Sequence, residues 1–198
     1  KSAHTKTSQY FSGILELLKN PLLSGLGIMI ILTGIGNAGV LNYELIYLDQ
    51  LGASESVIGI AGMAGAFVEV PTMIYSDRIA KRIGTRRMIL AAMIIYIVLR
   101  CAVIFFPSIL IVILARGLGG IAYSFLTIAQ VMVINEVLPS EASGTALVIF
   151  TVTIPTLISI VLMPVFGSIM DLAGTGWLYG ISLVGYALGW IVYKRLRA

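Results

Sequence analysis

The stretch Ser76-Asp77-Arg78-Ile79-Ala80-Lys81-Arg82-Ile83-Gly84-Thr85-Arg86-Arg87 decides the fold. It is a short, densely basic segment that separates two segments apolar enough to cross a bilayer. Between Asp77 and Arg87 there are five basic side chains and a single acidic one. So many charges cannot lie in hydrocarbon, so we predict a loop here, and the positive-inside rule places that loop on the cytoplasmic face.

The composition of the whole chain agrees with a membrane location. Hydrophobic residues make up 59% of the chain and charged residues only 11%, which is far from the average of soluble proteins. A helix needs roughly 20 mostly apolar residues to cross a bilayer, and six stretches have this length and composition. They are residues 21–43, 57–76, 88–106, 117–135, 142–170 and 172–193. We therefore predict an all-α polytopic membrane protein with six transmembrane helices.

The six spans define two parts of the chain. Residues 1–19 are polar at first and then carry an apolar stripe, which predicts a cytoplasmic leader with an interfacial helix. Residues 20–198 form the six-helix transmembrane domain. Because the chain begins with Lys1 rather than Met, we expect it to be a fragment or a processed product.

The distribution of basic residues predicts the orientation in the membrane. Six crossings place both termini, the second loop and the fourth loop on one side, and eleven of the thirteen Lys and Arg residues fall there. The opposite side receives Asp49, Glu55 and Asp171 but no basic residue. We therefore expect both termini to be cytoplasmic, in the inner or plasma membrane of a cell.

Residues for enzymatic chemistry are missing from the sequence. Cys101 is the single cysteine and His4 the single histidine, so neither an internal disulfide nor a histidine- and cysteine-based metal site is predicted. We find no nucleophile elbow or phosphate-binding loop. We accordingly expect no enzyme, no cofactor, no metal and no nucleic-acid partner.

The six helices divide into two sets of three, residues 21–106 and 109–193. The middle helix of each set ends in a similar way, with Pro71 ahead of Asp77 and Pro164 ahead of Asp171, and a glycine follows each aspartate. Three crossings are an odd number, so equivalent helices run in opposite directions. The pattern therefore predicts an inverted repeat.

Several motifs resemble those of the major facilitator superfamily of secondary transporters, and specifically its C-terminal six-helix half. Residues 77–87 are similar to the cytoplasmic signature Gly-x-x-x-Asp-Arg-x-Gly-Arg-Arg, although Met73 stands at its first glycine and the Gly-Arg-Arg part is displaced. Residues 114–120 resemble the second signature, and residues 138–145 resemble the loop ahead of the last two helices. Residues 48–54 and 69–71 suggest the sugar and nucleoside permease branch.

This resemblance implies a fold and a function. The chain would be half of a twelve-helix carrier, and its partner would be an N-terminal six-helix half, upstream in the same chain or in another subunit. It would transport a small solute by alternating access around a midplane site. A non-transporting membrane scaffold, or a decayed carrier half, is the alternative.

Four charged side chains lie inside the predicted spans or at their ends. A charge at the bilayer centre costs on the order of 3 kcal/mol, so each should face a cavity or a partner and is a candidate for the substrate or proton pathway. Glu69 and Arg100 lie on consecutive antiparallel helices and are expected to pair. The four residues are Glu44, Glu69, Arg100 and Arg116.

The two arginines are expected at similar depths and require anions. Glu44 and Glu69 fill this role in a proton-coupled carrier of neutral solutes, which is the interpretation we favour. A substrate carboxylate or phosphate fills it in an anion exchanger, the alternative.

Uncharged polar residues in the spans are candidates for contacts to a hydroxyl-bearing substrate. These are Asn37, Asn42, Tyr123 and Gln130. Near the basic loop, we expect Asp77 to pair with arginines in one conformation and to release them in another. The predicted gating residues are Asp77, Arg78, Gly84, Arg86 and Arg87.

Overall fold

The computed structural model describes residues 20–195, and within this range it consists of helices and short connections without any strand. The predicted interfacial helix of the leader lies outside the described residues. The helices are α1 (Pro21–Gln50), α2 (Glu55–Ile83), α3 (Thr85–Phe105), α4 (Ile109–Val137), α5 (Ser140–Val148), α6 (Ile154–Ala173) and α7 (Gly176–Arg195). A π-helical turn, Ile149–Thr153, joins α5 to α6.

Six stretches of helix within residues 20–195 are long and apolar enough to cross a membrane, and α5, the π-helical turn and α6 together supply one of them. Helices suit this environment because every backbone hydrogen bond is made within the segment. The prediction of an all-α polytopic membrane protein with six spans is confirmed.

The basic stretch between the second and third spans is helical, and the predicted loop is wrong. Helix α2 continues to Ile83, and α3 begins at Thr85. Lysine and arginine are good helix formers, and Lys81 pairs with Asp77 one turn earlier at 2.7 Å. The chain turns only at Gly84, whose φ of +86° is readily adopted by glycine. Gly174 ends α6 in the same way, with a φ of +87°.

The packing of the helices follows the pattern of an inverted repeat. The strongest contacts join α1 to α7, α2 to α4, α3 to α4, α1 to α6 and α3 to α7. Suppose that α1 corresponds to α4, α2 to α6 and α3 to α7. The α1–α7 contact then corresponds to the α3–α4 contact, and the α2–α4 contact corresponds to the α1–α6 contact. The α3–α7 contact corresponds to itself. The two three-helix sets therefore pack as related units.

Two hydrophobic clusters fill the interior. One lies toward the end of the bundle that carries Arg86, Arg87, Lys194 and Arg195, which we call the basic end, and the other lies toward the opposite end. Tyr96 belongs to the first cluster, whereas Leu99 belongs to the second. Both residues are on α3, so Arg100, which directly follows Leu99 and is 6% exposed, lies near the junction of the two clusters.

Candidate functional site

Glu44 on α1 is the centre of a buried charged cluster. Its side chain accepts a hydrogen bond of 2.5 Å from Nη1 of Arg116 and one of 2.9 Å from the hydroxyl of Tyr179. Nη1 of Arg100 lies 3.7 Å from the same carboxylate. Glu44 is only 4% exposed, and its charge is offset by two arginines from different helices.

All three nitrogens of the Arg100 guanidinium have partners. Its Nε donates to the Ser182 hydroxyl at 3.1 Å, and its Nη2 donates to Oδ1 of Asn37 at 3.0 Å. Nη1 makes the ion pair with Glu44. The guanidinium also lies over the rings of Tyr96 and Tyr179, at 5.6 Å and 5.4 Å from their centroids. Arg100 is therefore held in one position by α1, α3 and α7.

Arg116 on α4 is less completely bonded. It donates from Nη1 to Glu44, while its Nε is buried and has no hydrogen-bond acceptor among residues 20–195. Its side chain is 22% exposed, compared with 7% for Arg100. Two guanidiniums share the one carboxylate of Glu44, so this cluster carries one net positive charge.

Helical periodicity explains how these side chains meet. Asn37 and Glu44 are seven residues apart on α1, which is close to two turns and places them on one face. Tyr179 and Ser182 are three residues apart on α7 and point toward Arg100 and Glu44 from the other side.

The cluster forms one wall of a cavity of about 380 Å³, which we call the charged cavity. Glu69 on α2 also lines this cavity and is half-buried. Within residues 20–195, the Glu69 carboxylate makes no hydrogen bond or ion pair; its backbone carbonyl accepts the Ser124 hydroxyl at 3.0 Å. The polar and charged lining of the cavity consists of Asn37, Glu44, Glu69, Tyr96, Arg100, Arg116 and Tyr123.

A neighbouring cavity of about 240 Å³, which we call the polar cavity, continues toward the basic end. The two cavities share Asn37, Leu41, Tyr96 and Tyr123. Hydroxyl and amide groups line the polar cavity without any Asp, Glu, Lys or Arg. These groups come from Thr33, Asn37, Tyr96, Tyr123, Thr127, Gln130, Thr151 and Tyr186.

The π-helical turn supplies part of the polar cavity. Thr151 lies within it and Pro155 just beyond, and both residues line the cavity. The N–H of Ile154 donates to the carbonyl of Ile149, five residues earlier, which widens the helix locally. The widened turn lies immediately before Pro155.

Most predicted site residues come together around the two cavities. Glu44, Glu69, Arg100, Arg116, Asn37 and Tyr123 line the charged cavity, and Gln130 lines the polar one. Asn42 does not join them, because its side chain donates to the Ala38 carbonyl of its own helix at 2.7 Å. The expected pair between Glu69 and Arg100 is not formed, since Arg100 pairs with Glu44 instead.

Two members of the cluster, Tyr179 and Ser182, were not predicted. Their spacing along α7 is a signal, because polar residues recur there at helical intervals, continuing to Tyr186. That signal points to one face of α7 but does not reveal which helix the face contacts.

The predicted gating residues lie at the basic end. Asp77 pairs with Lys81 and with no arginine among residues 20–195, and the Arg78 guanidinium lies 5.9 Å from the Tyr75 ring centroid. Gly84 forms the turn between α2 and α3. Arg86 donates from Nη2 to the Lys194 carbonyl at 2.9 Å, which ties α3 to α7, and Arg87 is exposed.

No three His, Cys, Asp or Glu side chains lie close enough to hold a metal ion within the described part of the chain.

Comparison with known proteins identifies one family. The model of the MFS_1 like family, named for the major facilitator superfamily, matches residues 1–153 of the 198 residues. No curated protein matches the chain. The family match supports a transporter-type function, while the sugar and nucleoside branch stays a prediction.

Proposed function

We propose that this chain, which belongs to the MFS_1 like family, provides the solute site of a secondary active transporter that couples a small solute to a proton. One observation carries the proposal. The charged cavity contains two carboxylates in different environments, Glu44 with its charge offset by two arginines, and Glu69 without such a partner among residues 20–195.

Glu69 is the proposed proton site. Glu44 is bonded to Arg116 and Tyr179, so protonating it means disrupting a buried network. Protonating Glu69 disrupts no hydrogen bond or ion pair of its carboxylate in the described part of the chain. It nevertheless changes the charge of the cavity by one unit, and this change couples proton binding to solute binding in the same space.

The proposed transport cycle is alternating access, in which two six-helix units rock around the cavities. The positive-inside rule favours cytoplasmic termini, with the basic end on the cytoplasmic face of an inner or plasma membrane. In a second conformation, Asp77 would exchange Lys81 for an arginine of the gating group, which is our proposal for the latch. A solute moving together with the proton makes the protein a symporter.

Proton uptake into phosphatidylcholine vesicles that contain the protein and an internal pH dye tests this function. Sugars, nucleosides and small carboxylates are added one at a time outside the vesicles. We expect at least one solute to drive proton uptake. Glu69→Gln should abolish that uptake, because the amide of glutamine cannot take up and release a proton as a carboxylate does.

Glu136→Gln is the matched control, since Glu136 is exposed near the end of α4 and outside both cavities. This variant should retain solute-driven proton uptake. Uptake that survives Glu69→Gln at the wild-type rate would remove Glu69 from the mechanism, and the absence of proton movement with any transported solute would contradict symport.

A further inference from the structure

We infer that the charged cavity binds the carboxylate group of an organic monoanion on the unoccupied edge of Arg116. This edge consists of Nε and Nη2, which point in the same direction in a planar guanidinium. Nε is buried without an acceptor among residues 20–195, and Nη2 donates to none of them. The inference rests on the proposed transport function and specifies its substrate.

Comparison with Arg100 shows why this edge matters. Both arginines contact Glu44, but Arg100 also donates to Ser182 and Asn37, so its three nitrogens are all engaged. Arg116 uses one nitrogen only. Buried polar groups in proteins nearly always have a partner, so a buried N–H that lacks one in the described chain calls for an acceptor from outside it.

Charge and shape both favour a carboxylate as this acceptor. The two oxygens of a carboxylate match two parallel N–H groups of arginine, which gives a bidentate pair. When Glu69 is protonated, the two arginines and Glu44 leave one net positive charge in the cavity, which a monoanion neutralises. A phosphate dianion brings one charge too many, and a neutral solute leaves the guanidinium uncompensated.

Glu69 explains how the anion and the proton become coupled. It lines the same cavity as Arg116. When ionised, Glu69 repels a substrate carboxylate and competes with it for Arg116; when protonated, it does neither. The substrate anion therefore binds best together with a proton, and the pair crosses the membrane without net charge.

The polar cavity indicates the rest of the substrate. It adjoins the charged cavity through Asn37 and Tyr123 and offers hydroxyl and amide groups, including Thr127 and Gln130. Among the described residues, no Asp, Glu, Lys, Arg or His lines it. A carboxylate in the charged cavity thus places an uncharged portion that bears hydroxyl or ring groups in the polar cavity.

The inference is tested with acetate, which is little more than the carboxylate itself, and with acetamide, its neutral analogue of similar size. Binding of each probe to the protein in phosphatidylcholine nanodiscs is followed by saturation-transfer NMR. We expect saturable binding of acetate and none of acetamide. No acetate binding, or equal binding of the two probes, overturns the inference, and this comparison requires no variant.

Arg116→Lys locates the site, because lysine keeps the charge and removes the planar edge. We expect its affinity for acetate to fall by about tenfold or more. The control is Arg82→Lys, an exposed residue at the basic end, which should leave acetate binding unchanged. Wild-type affinity in a folded Arg116→Lys protein contradicts the assignment.

Glu69→Gln supplies a second, independent readout. Removing the competing carboxylate should tighten acetate binding while it abolishes solute-driven proton uptake. Unchanged or weaker acetate binding in this variant refutes the competition, even if Arg116→Lys does not fold. If acetate fails to bind but a neutral solute still drives proton uptake that depends on Glu69, the carboxylate inference is wrong and the proposed symport stands.

Discussion

At the scale of single residues, Glu44 determines how charge is tolerated inside the bundle. A lone arginine in a span is costly, but here two arginines share one carboxylate, and Tyr179 donates to the same group. Such charge-assisted hydrogen bonds are shorter and stronger than neutral ones. Removing the carboxylate takes away the paired counter-charge of the buried Arg100 and the half-buried Arg116.

We therefore expect Glu44→Gln to destabilise the protein by about 3–5 kcal/mol, the range for breaking a buried ion pair by removing one partner. Thermal or denaturant unfolding in detergent micelles measures the effect. Asp77→Asn is the matched control, because its pair with Lys81 is exposed and should be worth less than about 1 kcal/mol. Equal stability of the two variants would show that Glu44 does not hold the cluster together.

At the scale of helices, glycines set the distances between the elements that carry the site. A Cβ at Gly120 on α4 would lie 2.5 Å from the Gly65 carbonyl oxygen and 3.0 Å from the Glu69 nitrogen on α2. A Cβ at Gly185 on α7 would lie 2.8 Å from the Gly36 Cα on α1. Small residues permit such approaches between membrane helices, and at Gly120 the approach also positions Glu69.

Gly120→Ala should consequently push α2 away from α4, because the groups it meets are backbone atoms that cannot rotate aside. We expect a loss of about 1–3 kcal/mol in unfolding measurements, which is typical of overpacking. Gly59→Ala is the control, since nothing lies within 4 Å of a Cβ there, and alanine favours a helix by about 1 kcal/mol. A Gly120→Ala protein as stable as Gly59→Ala would argue against a tight α2–α4 contact.

At the scale of the whole molecule, one side of the bundle is poorly buried and carries polar groups. Only 6% of the residues in the most apolar stretch of α2 are buried, and only 11% of those in the corresponding stretch of the fifth span. The charged cavity opens beside α2, where Tyr123 is 47% exposed and Glu69 is half-buried. Polar groups of this kind face protein or a water-filled cavity rather than lipid, so we propose a second six-helix unit on this side.

Cysteine cross-linking in membranes tests this arrangement when the 198-residue chain is expressed alone, where a second copy is the available partner. Cys101 is first replaced by serine. We expect Phe67→Cys, which is 74% exposed on α2 beside this opening, to give a cross-linked dimer. Val184→Cys on α7, 57% exposed, should remain monomeric. Equal cross-linking at the two positions would contradict a specific partner side.

The sequence predicts which residues belong to the candidate site better than it predicts how these residues contact one another. Glu44, Arg100 and Arg116 are identifiable from sequence because a charge inside an apolar segment is costly, so each such residue is a functional candidate. Their pairing is not identifiable in this way. The sequence predicts Glu69 as the partner of Arg100 because the two lie on consecutive antiparallel helices, whereas in the structure the rotation of α1 presents Glu44 to both arginines.

Composition and periodicity by themselves determined the number of spans and the fold class, because the exclusion of charge from hydrocarbon acts on each segment separately. Only the tertiary structure decided that Glu44 rather than Glu69 pairs with Arg100 and that Tyr179 and Ser182 complete the cluster. These features depend on how helices rotate and pack against one another. That rotation is set by contacts such as those of Gly36 with Gly185 and Gly65 with Gly120, which join residues distant in sequence.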